Sequence, residues 1–332
     1  MNRIIMQRII VYMLFIFTMA KYSFGSGQTE PEYVLKAADD HELSYPTTQG
    51  LVYMAELLHR WTGGRIRVQV YPSAQLGSEK ETIRKTQQGL IDINRVNVNP
   101  VTQIAPVLKV FSLPYIFVSE EHLHKVVDGP IGVKLLGELT EYGLVGLGYY
   151  DSGQRSFYNS LRPVRSPEDL KGMRIRVQKA EIMGDIVSAL GAEPFPMAFE
   201  EVYTGLQTGA IHGAENNFPS WITKGHYEVA RYYTVDAHVR TPEIILFSKK
   251  IWEEINETDR KLILRAAAES VPYQRKLWRE HVQQAIAKAE EAGTMIIRDI
   301  DLEPFRKATS IVYEKHGKGL EDYIESIREA VQ

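Results

Sequence analysis

Apolar periodicity in the first hundred residues switches repeatedly between a period of two and a period near 3.6, and few folds tolerate that alternation. Residues 33–38 (Tyr-Val-Leu-Lys-Ala-Ala) read as a strand leading to the polar Asp39-Asp40-His41-Glu42. From about Thr47 to Thr62, Leu51, Met54, Ala55 and Leu58 recur at helical spacing, and Gly63-Gly64 ends the run. Arg65 to Tyr71 alternates as a strand and stops at Pro72. A helix over about Glu79–Gln88 ends at Gly89 and leads into a strand over Leu90–Val96. Strand–helix alternation of this kind predicts an α/β fold, and 332 residues suffice for two domains.

A second unit echoes the first. A helix over Glu200–Thr208 ends at Gly209 and leads into Ala210 to Asn217, so that Gln87, Gly89, Ile91 and Asn97 match Gln207, Gly209, Ile211 and Asn217. Each unit then reaches a proline, Pro100 or Pro219. The echo is either a shared build or coincidence, since a glycine at a helix end is common. If it is real, two lobes each turn the polar end of a strand toward a common cleft, where open α/β sheets bind ligands. Further on, Asp259 to Ala292 has no glycine and one proline, Pro272. It predicts a helix of about 50 Å, kinked at the proline, or two helices meeting there.

A net charge of −3 without long basic runs argues against nucleic acid as a partner. At the N-terminus Arg3 and Arg8 precede apolar Ile9–Ala20, followed by Ser23, Gly25, Ser26 and Gly27, the order of a secretory signal peptide over residues 1–27. Its apolar run is short of the roughly 20 residues that span a bilayer. The chain has no cysteine, which excludes a lipid-modified cysteine, disulfides and thiol chemistry. A free periplasmic protein is expected.

Motifs for bond-breaking chemistry are missing: there is no P-loop, no Gly-x-Ser-x-Gly elbow and no His-Glu-x-x-His helix. Gly146-Leu147-Gly148 lacks the third glycine of a dinucleotide turn, and His122 and His124 read as surface residues with no further ligand nearby in sequence. The arginines are more informative. Met173-Arg174-Ile175-Arg176-Val177 alternates as a strand, and a strand arginine near a core needs an anion. Arg155 stands upstream in Gly-Gln-Arg-Ser-Phe, and Glu215-Asn216-Asn217 downstream. Each arginine could be satisfied internally, for example by Glu168 or Glu193. Together with Asn216 they point instead to a small acid, because a planar guanidinium grips a carboxylate through two parallel hydrogen bonds.

These residues carry a resemblance. Asp151 to Ser160 (Asp-Ser-Gly-Gln-Arg-Ser-Phe-Tyr-Asn-Ser), Asp169 to Gln178 (Asp-Leu-Lys-Gly-Met-Arg-Ile-Arg-Val-Gln), Phe199-Glu-Glu-Val-Tyr-Thr-Gly-Leu-Gln-Thr-Gly and Gly213-Ala-Glu-Asn-Asn resemble the DctP-type solute receptors of TRAP transporters, as do Tyr71–Gly77 and Phe111–Tyr115. The resemblance implies a two-lobed periplasmic binding protein fold (type II-like), with a long kinked helix spanning both lobes. Lobe I would comprise residues 28–152 plus about 241–280, and lobe II residues 153–240 plus about 281–332. It implies a non-enzymatic, monomeric receptor without cofactor or metal, which hands an organic acid to the TRAP permease membrane subunits. The carboxylate would fall to Arg176, with Arg155 and Asn216 as further contacts, and Asn217 beside them. His41, Glu79, Arg95 and Asn97 stand where the first lobe should meet the cleft. Asp-Ser-Gly-x-Arg-Ser-Phe-Tyr-Asn and Gly-Ala-Glu-Asn-Asn-x-Pro-Ser are similar to receptors for hexuronates such as glucuronate or galacturonate. The alternatives are a C4-dicarboxylate, a keto acid or sialic acid in the same role, or a secreted sugar-acid lyase using His41 or Glu79 as base.

Overall fold

A computed structural model describes residues 30–331; the expected signal peptide lies outside them. Two sheets organise the chain. The first is five-stranded, in the order β2-β1-β3-β10-β4, from β1 (Tyr33–Ala38), β2 (Ile66–Tyr71), β3 (Ile93–Asn97), β4 (Leu144–Tyr150) and β10 (Glu243–Ser248). The second is six-stranded, β11-β9-β5-β8-β6-β7, from β5 (Arg155–Asn159), β6 (Arg174–Val177), β7 (Glu193–Pro196), β8 (Gly213–Asn216), β9 (Tyr232–Val239) and β11 (Met295–Ile297). β1 pairs in parallel with β2 and β3, as the βαβ reading requires, while β10 returns from the second sheet and runs antiparallel between β3 and β4.

The first helices start and stop on chemical signals. Helix α1 (Pro46–Trp61) begins with proline in its first turn, where no N–H is needed. Helix α2 (Glu79–Gln87) is opened by a reciprocal capping box of Ser78 and Glu81. Both fall within a residue of the expected limits. Residues 259–292 form one element: α9 (Glu257–Glu291, 35 residues) runs through Pro272 without interruption. Its N-terminal half contributes Ile263, Ala266 and Ala267 to the core under the first sheet, with Leu51, Met54 and Leu58 of α1. Its C-terminal half contributes Ala285 and Ala289 to the core of the second sheet, with Tyr158, Trp221 and Tyr233.

Where α9 passes between the cores it holds the crossover from β4 to β5. Ser270 Oγ meets Tyr150 Oη at 2.7 Å, and the Gln274 side chain accepts from Asp151 N (2.9 Å) and donates to Asp151 O (2.8 Å). Trp278 lies over Gly153, whose φ of +63° suits glycine. The chain's end crosses back: helix α11 (Ile311–His316) packs on α6 (Glu181–Ala189), and α12 (Glu321–Glu329) packs on α5 (Pro130–Glu138). This corrects the expectation of a surface His122. The inner face of α4 (Glu120–Asp128) meets the chain's end, so His122 is buried, with Nε2 2.7 Å from Ile327 O. His124 is half-buried and meets Asp151 Oδ2 at 3.0 Å.

Candidate functional site

The echo between the two units is structural. Gly89 and Gly209 take φ of +76° and +74° at equivalent helix ends, and Ile91 and Ile211 are both buried just beyond. The strands β3 and β8 follow, and each hands over to a short helix capped by asparagine. Asn97 accepts from Asn99 N at the start of α3 (Val98–Val101), and Asn217 accepts from Ser220 N at the start of α8 (Phe218–Thr223). These two capped ends, one from each sheet, border a cavity between the lobes.

All eight candidate residues line it: His41, Glu79, Arg95, Asn97, Arg155, Arg176, Asn216 and Asn217. Asp40, Gln178, Phe199, Ser220 and Glu243 complete the wall. Sequence reading missed these five. Asp40 carried a signal, since it precedes His41 at the end of β1 among polar residues, whereas Glu243 lies on a wholly buried strand that reads as plain core. A wider groove bordered by Tyr115, Arg306 and Tyr313 lies open on the surface; the convergent buried polar groups are in the interlobe cavity.

The three buried arginines differ in what answers them. Arg95 is enclosed by carboxylates: its guanidinium donates to Asp39 and Asp40, and Nη1 reaches Glu243 Oε2 at 2.7 Å. Glu79 accepts from Asn97 N at 2.6 Å and stands 4.0 Å from Arg95 Nη1. Burial, then the charges of Asp40 and Glu243, push the Glu79 carboxyl well above its usual range. Burial likewise lifts Asp39 to about 6. Arg155 is answered by Glu215. It donates through Nε to Oε2 and through Nη2 to Oε1 (2.9 Å) and the Glu215 carbonyl (2.7 Å), and Nη1 reaches Asn216 Oδ1 at 3.1 Å. An internal partner for Arg155 was among the sequence alternatives, but it is Glu215 rather than Glu168 or Glu193. Behind it, His238 lies 3.7 Å from Glu215 and 2.7 Å from Asp236.

Arg176 has no such partner. It stands near the end of β6, beside Ala214 of β8, and is only 3% exposed. Its one side-chain hydrogen bond among the described residues is Nε to Met197 O at 3.0 Å, and no described carboxylate lies within 4.0 Å of its guanidinium. Burial depresses its pKa. An unpaired buried cation is costly, by several kcal/mol even after relaxation.

Other groups sort by free valence. The Asn97 and Asn217 side chains are engaged on both atoms, with Thr241, Glu243 and Asn99 N around the first and Ser152 O, Ser220 N and Tyr45 Oη around the second. Asn216 keeps its amide nitrogen free of partners among the described residues while its oxygen accepts from Arg155 and Asn217 N. His41 stacks on Tyr45 at 3.7 Å, burial holds it neutral, and its Nδ1 has no partner. The cavity therefore offers an unanswered guanidinium, an amide donor and a neutral imidazole, a set that holds a hydroxylated anion.

Contacts across the cleft shut it. Tyr45 Oη meets Ser220 Oγ at 2.9 Å, Asn99 Nδ2 donates to Gln178 Oε1 at 2.6 Å, and Lys224 stands 3.4 Å from Glu42.

Comparison with known proteins places the chain in a family. The family model DctP, described as bacterial extracellular solute-binding protein, family 7, matches residues 38–319. A solute-binding protein of Chromohalobacter salexigens is 38% identical over 275 residues, covering 83% of this chain and 82% of that one. The crystal structure of a TRAP periplasmic solute-binding protein from Xanthobacter autotrophicus Py2 with bound β-D-galacturonate superposes with a TM-score of 0.87 at 39% identity, over 89% of this chain and 99% of that one. Another, from Citrobacter koseri with bound D-glucuronate, gives a TM-score of 0.86 at 40% identity, over 89% and 98%. With its two lobes, its shared helix and its match over residues 38–319, the chain belongs to the DctP family of TRAP solute-binding proteins.

Proposed function

We propose that this receptor captures a hexuronate of the glucuronate or galacturonate type in the periplasm and delivers it to the TRAP permease. Arg176 carries the reading: it is buried at the cavity wall with no protein anion, so the ligand carboxylate supplies the missing charge. Asn216, His41 and the first lobe's polar strand ends meet the ring hydroxyls. Arg155, already held by Glu215, positions Asn216 and adds positive potential beside the carboxylate. Solved relatives with bound galacturonate and glucuronate support the ligand class. Family members are receptors, and nothing supports the lyase alternative. The N-terminal signal and a monomeric state belong to the same reading.

Calorimetry with D-glucuronate and D-galacturonate tests it. Wild type should bind at least one of them, and Arg176→Ala should lose roughly 100-fold or more in affinity, the usual cost of removing one partner of a desolvated charge pair. Arg176→Lys should not restore it, because a point charge lacks the two-pronged geometry. Unchanged affinity in Arg176→Ala would exclude this role for the arginine.

A further inference from the structure

The end of the cavity around Arg95 is acidic beyond what one guanidinium can neutralise. Asp39, Asp40 and Glu243 all hydrogen-bond Arg95, and Glu79 stands 4.0 Å away. Four carboxyl groups thus crowd one cation in a space where Arg95 is 1% exposed, and the crowding favours the protonated form of Glu79. Their free valences differ. Both Asp39 oxygens are occupied by Arg95, His41 N and Thr47, and both Glu243 oxygens by Arg95 and Asn97. Asp40 gives only Oδ1 to Arg95 and Glu79 only Oε1 to Asn97 N, so each has a second oxygen without a partner among the described residues, and both border the cavity and the side pocket next to it. Glu79 is the one pushed toward its protonated form, which leaves Asp40 as the free acceptor.

We propose that Asp40 reads the part of the ligand beyond its carboxylate: it accepts hydroxyl groups there and turns away a second carboxylate, restricting the receptor to acids that carry only one. The inference rests on the sugar-acid reading and adds a residue which that reading did not use. A hydroxyl can donate to the free Asp40 oxygen. A carboxylate can only accept, and it would enter as a fifth buried acid beside a cation already surrounded. Selection of this kind comes from a repulsive element as much as from an attractive one. Lys80, Lys179 and Arg176, which border the side pocket, and Lys224, whose charge reaches Asp40, are the cations that could offset it.

The test compares D-galacturonate with D-galactarate, the six-carbon acid carboxylated at both ends, on wild type and Asp40→Asn. The asparagine keeps an oxygen for Arg95, and a melting curve confirms that the variant folds. Wild type should bind galactarate roughly 100-fold more weakly than the uronate or worse, a discrimination typical of a site whose polar groups are mismatched. Asp40→Asn should shrink that gap to about tenfold or less. Galactarate binding wild type within tenfold of the uronate, through Lys80 and Lys179 or otherwise, overturns the proposal. So does a gap that Asp40→Asn leaves unchanged, because exclusion would then come from shape. The two readings fail separately. A wild type that binds another monocarboxylate but no uronate removes the hexuronate reading and leaves the role of Asp40 to be read with that acid and its dicarboxylate. A wild type that binds only dicarboxylates removes both.

Discussion

Arg155 and Arg176 line the same cavity at equal burial, yet their neighbours give them opposite effects on stability. Removing Arg155 strands the buried Glu215, so Arg155→Ala should cost about 3–5 kcal/mol and lower the melting temperature of the unliganded protein by about 10 °C. Removing Arg176 deletes a cation that no protein carboxylate answers, so Arg176→Ala should leave that temperature unchanged or raise it. Equal losses in the two melting curves would refute the assignment of partners. At this scale, legibility in the sequence followed chain distance. Arg176 could be read because an alternating strand put it beside a core, where an arginine needs an anion. The pairing of Arg155 with Glu215 spans 60 residues and forms only when β5 lies against β8. Asp40 and Glu243 likewise become neighbours only through Arg95, which holds both.

The helices Pro46–Trp61 and Glu79–Gln87 were legible to within a residue, because glycine, proline and capping residues act locally. The strand β10 was not read: its residues are all buried, and a fully buried strand has no alternation to detect. Nor could periodicity decide whether Pro272 ends a helix. Packing against both cores carries α9 across it. The crossover at Gly153 gives this scale its prediction. A Cβ there would meet Trp278 at 3.2 Å on a backbone with φ of +63°, whereas Gly172, at φ of +77°, has nothing within 4 Å. Gly172→Ala should therefore cost about 1 kcal/mol of backbone strain, and Gly153→Ala about 2–3 kcal/mol. Denaturant midpoints measure both; equal shifts would mean that Trp278 yields without cost.

Across the whole molecule, the charge chain behind the site couples stability to pH. Although burial opposes its charge, Asp236 and Glu215 raise His238 from 6.5 to about 9. A raised pKa stabilises the fold fully below pH 6.5, and that contribution is lost as pH climbs through 9. Phe157, stacked on the ring at 4.4 Å, brings no charge to the other face. The gap in melting temperature between wild type and His238→Gln should accordingly be widest near pH 6 and shrink by pH 9.5, and a constant gap would place the proton elsewhere. Glu215 moves the opposite way, held at about 2 by Arg155 and His238 against the effect of burial, so its share is present above pH 4.5 and fades as pH falls through 2.

The unanswered charge of Arg176 also bears on what a membrane partner can sense. Bringing the lobes together around a bare guanidinium is penalised, while bringing them together around a guanidinium and its carboxylate is not. Shape thereby becomes a report of occupancy: a permease that touches only the outer surfaces of the two lobes can distinguish cargo from no cargo without ever contacting the sugar.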